Sequence, residues 1–126
     1  MTKSFSKISV IGLGYVGLPL SLQFACSGVN VLGLDLDSKK VKSINSGESY
    51  LKHFSSESIA EQVNAGRFEA TTDPANLFEV EAVLICVPTP LDDHREPDLS
   101  FVLDTAQTIA PHLPKGVLVT LESTTY

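Results

Sequence analysis

KISVIGLGYVGLPL, Lys7 to Leu20, is the stretch on which the reading of the fold turns. Ile8, Val10 and Ile11 form a short apolar run that reads as a buried β-strand. Gly12, Gly14 and Gly17 follow in the spacing G-x-G-x-x-G. After them Leu18, Leu20, Leu22, Phe24 and Ala25 read as an apolar helix. A strand, a glycine turn and a helix in that order form the setting in which these glycines become a dinucleotide-binding fingerprint. Each glycine has its own reason. Gly12 permits the tight turn out of the strand. Gly14 has no Cβ, so a pyrophosphate can approach the backbone. Gly17 lets the helix lie close to the strand. The amides near Tyr15 and Val16 fall at a helix N-terminus, where unpaired N–H groups and the helix dipole attract an anion.

The next apolar run, Val29 to Leu34, ends at Asp35, 18 positions after Gly17. That is close to the roughly 20 expected of the acid that holds an adenosine ribose. A carboxylate there accepts from the ribose diol and repels a 2′-phosphate. The pattern therefore predicts NAD and disfavours NADP.

The 126 residues suit one domain with one core, and a charged fraction of 19% against 43% hydrophobic residues suits a globular chain. No apolar run nears the roughly 20 residues of a membrane span. MTKSFSK leads straight into the first strand with no room for a signal peptide, so a cytoplasmic location is expected. The net charge of −6 disfavours nucleic acid and anionic membranes as partners. Cys26 and Cys86 read as small buried hydrophobes in a helix and a strand. With His53, His94 and His112 they form no clustered metal-ligand pattern, so no metal is predicted.

In order, the pattern predicts strands over Lys7–Ile11, Asn30–Leu34, Phe68–Thr71, Ala82–Val87 and Val117–Leu121. Helices are predicted over Val16–Ser27, from Asp37 or Ser38 to Gly47, over Ser56–Ala65, and briefly from Asp73-Pro74 to Phe78. A last helix, capped by Asp98, carries Leu99, Val102, Leu103, Ala106, Ile109 and Ala110 as its apolar face. Between it and the fourth strand, Val87 to Ser100 reads as an ordered loop, with Arg95 placed for an exposed ion pair among Asp92, Asp93 and Glu96. The alternation implies an α/β fold, a Rossmann-like doubly wound parallel sheet of order 3-2-1-4-5. Ligands of such sheets bind beyond the carboxyl ends of the strands, at the switch between strands one and four.

GLGYVGLPL, ICVPTP and LESTT, in this order and spacing, resemble the N-terminal domain of the UDP-glucose/GDP-mannose dehydrogenase family. The resemblance covers essentially the whole chain. LESTTY with PTPLDDHREPDLS is most similar to the branch acting on UDP-N-acetylhexosamines, such as UDP-N-acetylglucosamine 6-dehydrogenase. It implies oxidation of the sugar C6 alcohol to a carboxylate with two NAD+, through a cysteine-bound thiohemiacetal and thioester, in polysaccharide biosynthesis. It places the pyrophosphate on Gly12, Gly14, Tyr15, Val16 and Gly17, and the adenosine ribose on Asp35 with Lys40 nearby. Val87, Pro88 and Thr89 would line the nicotinamide side. Glu122 and Ser123 would flank the cofactor, and Thr124 would help position a catalytic water.

The family's nucleophilic cysteine lies in a downstream glycine-rich motif that this sequence lacks, and Cys86 is not its counterpart. The central helix and the sugar-nucleotide domain are likewise missing. The resemblance thus implies a single NAD-binding domain over residues 1–126, inactive alone, in a longer protein that is a homo-oligomer. Strand five would then be an exposed edge. Two other functions share the opening fold: a different β-hydroxyacid-type NAD(P) dehydrogenase, and a non-catalytic NAD-sensing module. The VPTP and ESTT motifs count against the first.

Overall fold

The apolar runs become five parallel strands, and the connections between them become the helices that cover the sheet. The computed structural model describes residues 6–51 and 54–122. The strands are β1 (Lys7–Ile11), β2 (Asn30–Leu34), β3 (Phe68–Thr71), β4 (Ala82–Ile85) and β5 (Leu118–Leu121). The helices are α1 (Gly17–Cys26), α2 (Ser38–Asn45), α3 (Ser56–Asn64) and α4 (Ser100–Ile109), with 3-10 turns at Pro74–Glu79 and Ala110–His112. The sheet has the order β3-β2-β1-β4-β5, with every pair parallel. The predicted strand order is therefore the observed one.

Alternation along the strands divides the core. Ile8 and Val10 enter one cluster with Leu18, Leu22 and Ala25 of α1, Ile44 of α2 and Ile59 of α3. Ile11, Leu32 and Leu34 enter a second with Leu77, Val83, Ile85 and Ile109. Ser9 points into the apolar interior, and its hydroxyl donates to the Leu32 carbonyl at 2.8 Å, which removes the cost of burying it.

Several helix starts follow the chemistry of their caps. Asp37 accepts from the Lys39 amide at 2.9 Å, and Ser55 accepts from Ser58 at 3.3 Å. Asp73 accepts from Ala75 at 2.9 Å, but the segment behind it is a 3-10 turn rather than an α-helix. Asp98 is displaced from its expected role. Leu99 is the N-cap of α4, while the Asp98 carboxylate accepts from the Ser100 amide at 2.9 Å. The Ser100 hydroxyl, and then this amide, hold the Asp98 carboxyl below the usual range.

The two sheet edges differ. On β3, Asn45 supplies both halves of a strand-like pairing: its Nδ2 donates to the Ala70 carbonyl and its Oδ1 accepts from the Ala70 amide, each at 3.0 Å. A side chain from α2 thereby occupies hydrogen-bonding positions that another strand would take. β5 carries Leu118, Val119 and Leu121 in exposed positions. The apolar face predicted for α4 is also largely uncovered, for Leu99 and Leu103 are exposed and Ile109 is its one buried residue.

The two cysteines correct the expectation of buried small hydrophobes. Cys26 is exposed at the last position of α1, off the Leu18–Leu22–Ala25 stripe. Cys86 lies one residue past the end of β4 and is half-buried. The loop from Leu91 to Pro97 is closed by an antiparallel bridge between those two residues. Asp92 accepts from the amides of His94 and Glu96 at 2.8 and 3.0 Å, and Arg95 takes a left-handed φ of 60°. The expected ion pair of Arg95 with Asp92, Asp93 or Glu96 is not found among the described residues, and Asp92 is instead engaged by backbone amides.

Gly17 is the tightest of the glycine positions. A Cβ added there would sit 1.7 Å from the Gly12 carbonyl oxygen, whereas one added at Gly14 meets nothing within 4 Å. Gly17→Ala should therefore destabilise the chain by at least about 3 kcal/mol, since the obstacle is backbone. Gly14→Ala should stay within about 1 kcal/mol of the parent. Chemical denaturation of the two variants checks this; equal loss in both would remove the distinction.

Candidate cofactor site

Four backbone hydrogen bonds line up the residues that leave the strands. The Asp35 amide donates to Thr71, Gly12 to Leu34, Cys86 to Ile11, and Glu122 to Ile85, at 3.2, 2.8, 2.7 and 2.8 Å. Each continues the sheet ladder by one residue. Asp35, Gly12, Cys86 and Glu122 therefore stand side by side on one rim, and the glycine turn rises from the middle of it.

The first turn of α1 is built to leave room for an anion. Val16 is the N-cap and provides no side-chain hydrogen bond, and the turn carries no acidic side chain. Gly12 has φ of 92°, and a Cβ there would meet the Cys86 carbonyl at 2.9 Å. Tyr15 projects into solvent. Of the three glycines, Gly12 and Gly17 are closed off by protein and Gly14 alone opens outward.

Asp35 is held by two amides. Its Oδ2 accepts from Leu13 at 2.8 Å and its Oδ1 from Asp37 at 2.9 Å. Each carboxylate oxygen keeps a further acceptor position, enough for a vicinal diol. Beside it opens a cleft of about 370 Å³ lined by Gly12, Asp35, Lys40, Val87 and Pro88 among others.

The structure brings these five predicted residues together in one cavity. Gly14, Tyr15, Val16, Gly17 and Glu122 stand outside its lining. Thr89 is buried, also outside that lining. Ser123 and Thr124, like His53, lie outside the described residues.

Sequence reading missed Leu36 and Phe101, which line the same cleft. Leu36 is 84% exposed and Phe101 48% exposed. Their signal was legible in principle: Leu36 is a large apolar residue in the turn after β2, and Phe101 one in the first turn of α4. Asp104, Thr105 and Thr108 of α4 complete that wall.

Burial of the Cys86 thiol, and then the nearby Glu122 carboxylate, pushes its pKa up to about 11. A thiol so raised is a poor nucleophile near neutral pH. Among the described residues no group of His, Cys, Asp and Glu could hold a metal ion, and no helix is long and apolar enough to cross a membrane.

A doubly wound sheet with a glycine turn at its switch point and an acid ending the second strand defines a dinucleotide-binding domain. Residues 6–126 match the NAD binding domain of the UDP-glucose/GDP-mannose dehydrogenase family, and the chain belongs to that family. It is 44% identical over 122 residues to UDP-N-acetyl-D-mannosamine dehydrogenase of Escherichia coli strain K12, covering 96% of this chain and 28% of that protein. It is 40% identical to NDP-N-acetyl-D-galactosaminuronic acid dehydrogenase of Ralstonia nicotianae, with 95% and 28% covered. Among solved structures, the UDP-D-ManNAc dehydrogenase of Pyrococcus horikoshii superimposes with a TM-score of 0.87 at 37% identity, covering 94% of this chain and 28% of that one. The chain thus spans little more than a quarter of the length of these relatives. Their names carry mannosamine and galactosaminuronic acid, and so lend no support to the N-acetylglucosamine member named from sequence.

The contrast between the cysteines is directly measurable. Iodoacetamide at pH 8 should label Cys26 first, because a Cys86 thiol titrating near 11 is only about one part in a thousand thiolate there. Labelling of Cys86 should rise as the pH approaches 11. Peptide mass spectrometry reads both sites, and faster modification of Cys86 at pH 8 would contradict the burial.

Proposed function

We propose that this chain is the cofactor-binding domain of a longer nucleotide-sugar 6-dehydrogenase. The enzyme would oxidise the C6 alcohol of a UDP-N-acetylhexosamine to the carboxylate, consuming two NAD+. The observation that carries the cofactor assignment is the glycine turn itself. Gly12 and Gly17 are sealed against protein while Gly14 faces open space at an uncapped helix start. That open backbone leaves room for a pyrophosphate, which any side chain at position 14 would block.

In this reading the amides of Gly14, Tyr15, Val16 and Gly17 hold the pyrophosphate above Gly12. Asp35, already oriented by two amides, accepts from both ribose hydroxyls and disfavours a 2′-phosphate. Lys40 stands beside that ribose, and Leu36 and Phe101 enclose the adenine. Val87, Pro88 and Thr89 direct the nicotinamide along the rim towards Glu122, with Ser123 and Thr124 following. When bound, NAD+ supplies the acceptor for hydride. The nucleophilic cysteine and the sugar-nucleotide pocket belong to the remainder of the protein, as the raised Cys86 pKa and the quarter-length match to relatives support. The uncovered face of α4 and β5 is consistent with a further part of the protein packing there.

The choice of an N-acetylhexosamine is supported by the relatives' names, which make UDP-N-acetylmannosamine the first sugar to assay. The complete protein should reduce two NAD+ per UDP-N-acetylhexosamine and turn over UDP-glucose much more slowly. The 126-residue chain alone should oxidise neither. Equal rates on UDP-glucose, or one NADH per sugar, would overturn the assignment.

Asp35→Ala should weaken NAD+ binding roughly ten- to a hundredfold and narrow its advantage over NADP+. Gly14→Val should abolish binding while leaving the fold intact. Calorimetric titration with both cofactors checks each; unchanged affinities would remove the ribose and pyrophosphate assignments.

A further inference from the structure

Tyr50 belongs neither to the glycine motif nor to the cleft lining, yet it reaches the centre of the site. It lies in the connection between α2 and α3, packed against the first core cluster. Its phenol donates a hydrogen bond to the Leu13 carbonyl, 37 residues away in sequence. Leu13 is the residue between the first two glycines of the fingerprint. Its amide donates to Asp35 Oδ2 at 2.8 Å, and its side chain is completely buried against Gly33. The Lys40 ammonium stands 5.8 Å from the centroid of the Tyr50 ring.

We infer that Tyr50 is a positioning residue for the cofactor loop, setting the orientation of the Leu13–Gly14 peptide and the place of Lys40. This rests on the reading of the glycine turn as the pyrophosphate site. The physical argument is peptide planarity. The Leu13 carbonyl and the Gly14 N–H share one rigid unit, and no described peptide is cis. In a trans peptide the two groups point in opposite directions. A phenol that draws the Leu13 oxygen towards the core therefore aims the Gly14 N–H away from it, where Gly14 is open. The same residue's amide is fixed to the ribose acid, so Tyr50 and Asp35 grip one peptide segment from its two ends.

The environment suits a donor that stays protonated. Burial, then the carboxylates of Asp35 and Asp37, push the Tyr50 phenol well above its ordinary pKa. The aromatic face contributes separately, because a cation near it is held by the ring quadrupole. Tyr50 thus connects three elements that bear on the adenosine end: the turn, the acid and the lysine.

Tyr50→Phe removes the hydroxyl and keeps the ring. In the complete protein it should weaken NAD+ binding about fivefold, the usual worth of one hydrogen bond. It should raise KM for NAD+ with kcat unchanged. Without cofactor, hydrogen exchange at Leu13, whose amide is bonded to Asp35, should quicken while the strands' amides keep their protection. Tyr50→Leu, which also removes the ring beneath Lys40, should weaken binding further. NAD+ binding by the parent protein with unchanged affinity in Tyr50→Phe would overturn the inference alone. Failure of the parent to bind NAD+ would overturn the cofactor reading and this inference with it.

Discussion

The contact between Gly17 and the Gly12 carbonyl is the constraint from which the rest follows. Only with no side chain at position 17 can α1 start directly over the end of β1. That approach leaves the start of α1 facing the sheet rim with no side-chain cap over it. It also brings Leu18, Leu22 and Ala25 onto Ile8 and Val10, so the closest backbone contact and the larger core cluster form together. Pro19 costs little here. As the third residue of α1 it falls within the first turn, where proline is tolerated.

The rim is the second consequence. Strand ladders that each extend by one residue bring Asp35, Gly12, Cys86 and Glu122 into a row, although 87 positions separate Asp35 from Glu122. Backbone hydrogen bonds, rather than side-chain contacts, set this alignment. A ligand lying along the row meets groups whose spacing is that of neighbouring strands, close to 5 Å each. Leu13 then joins row and turn: its side chain is buried against Gly33 of β2, and its two peptide groups are held by Asp35 and Tyr50.

Stability is unevenly distributed over the two faces. The face under α1, α2 and α3 is well covered, and Asn45 caps the outer edge of β3. On the other face α4 buries Ile109 but leaves Leu99, Phe101 and Leu103 exposed, and β5 is exposed along most of its length. Phe101 has a reason to be uncovered, since it lines the cleft. Leu103, Leu118 and Val119 are exposed without lining that cleft, so the β5–α4 corner has little burial behind it.

The strand and helix pattern, the sheet order, the glycine turn and Asp35 were all legible in the sequence. Each is dictated locally: a glycine spacing tied to steric closeness, an acid at a strand end, apolar runs of strand length. Tertiary structure decided the rest. It showed that Cys26 is exposed and Cys86 sits on the rim, because burial depends on which turn of a helix meets a neighbour and where a strand stops pairing. It put Asp98 outside the cap of α4 and left that helix's apolar stripe open, because helical periodicity says which residues share a face and not what covers them. It also joined Leu36 to Phe101 and Tyr50 to Leu13. Those pairings cross 65 and 37 residues of chain, and only the packing of α2, α4 and the turn around one rim brings them within reach.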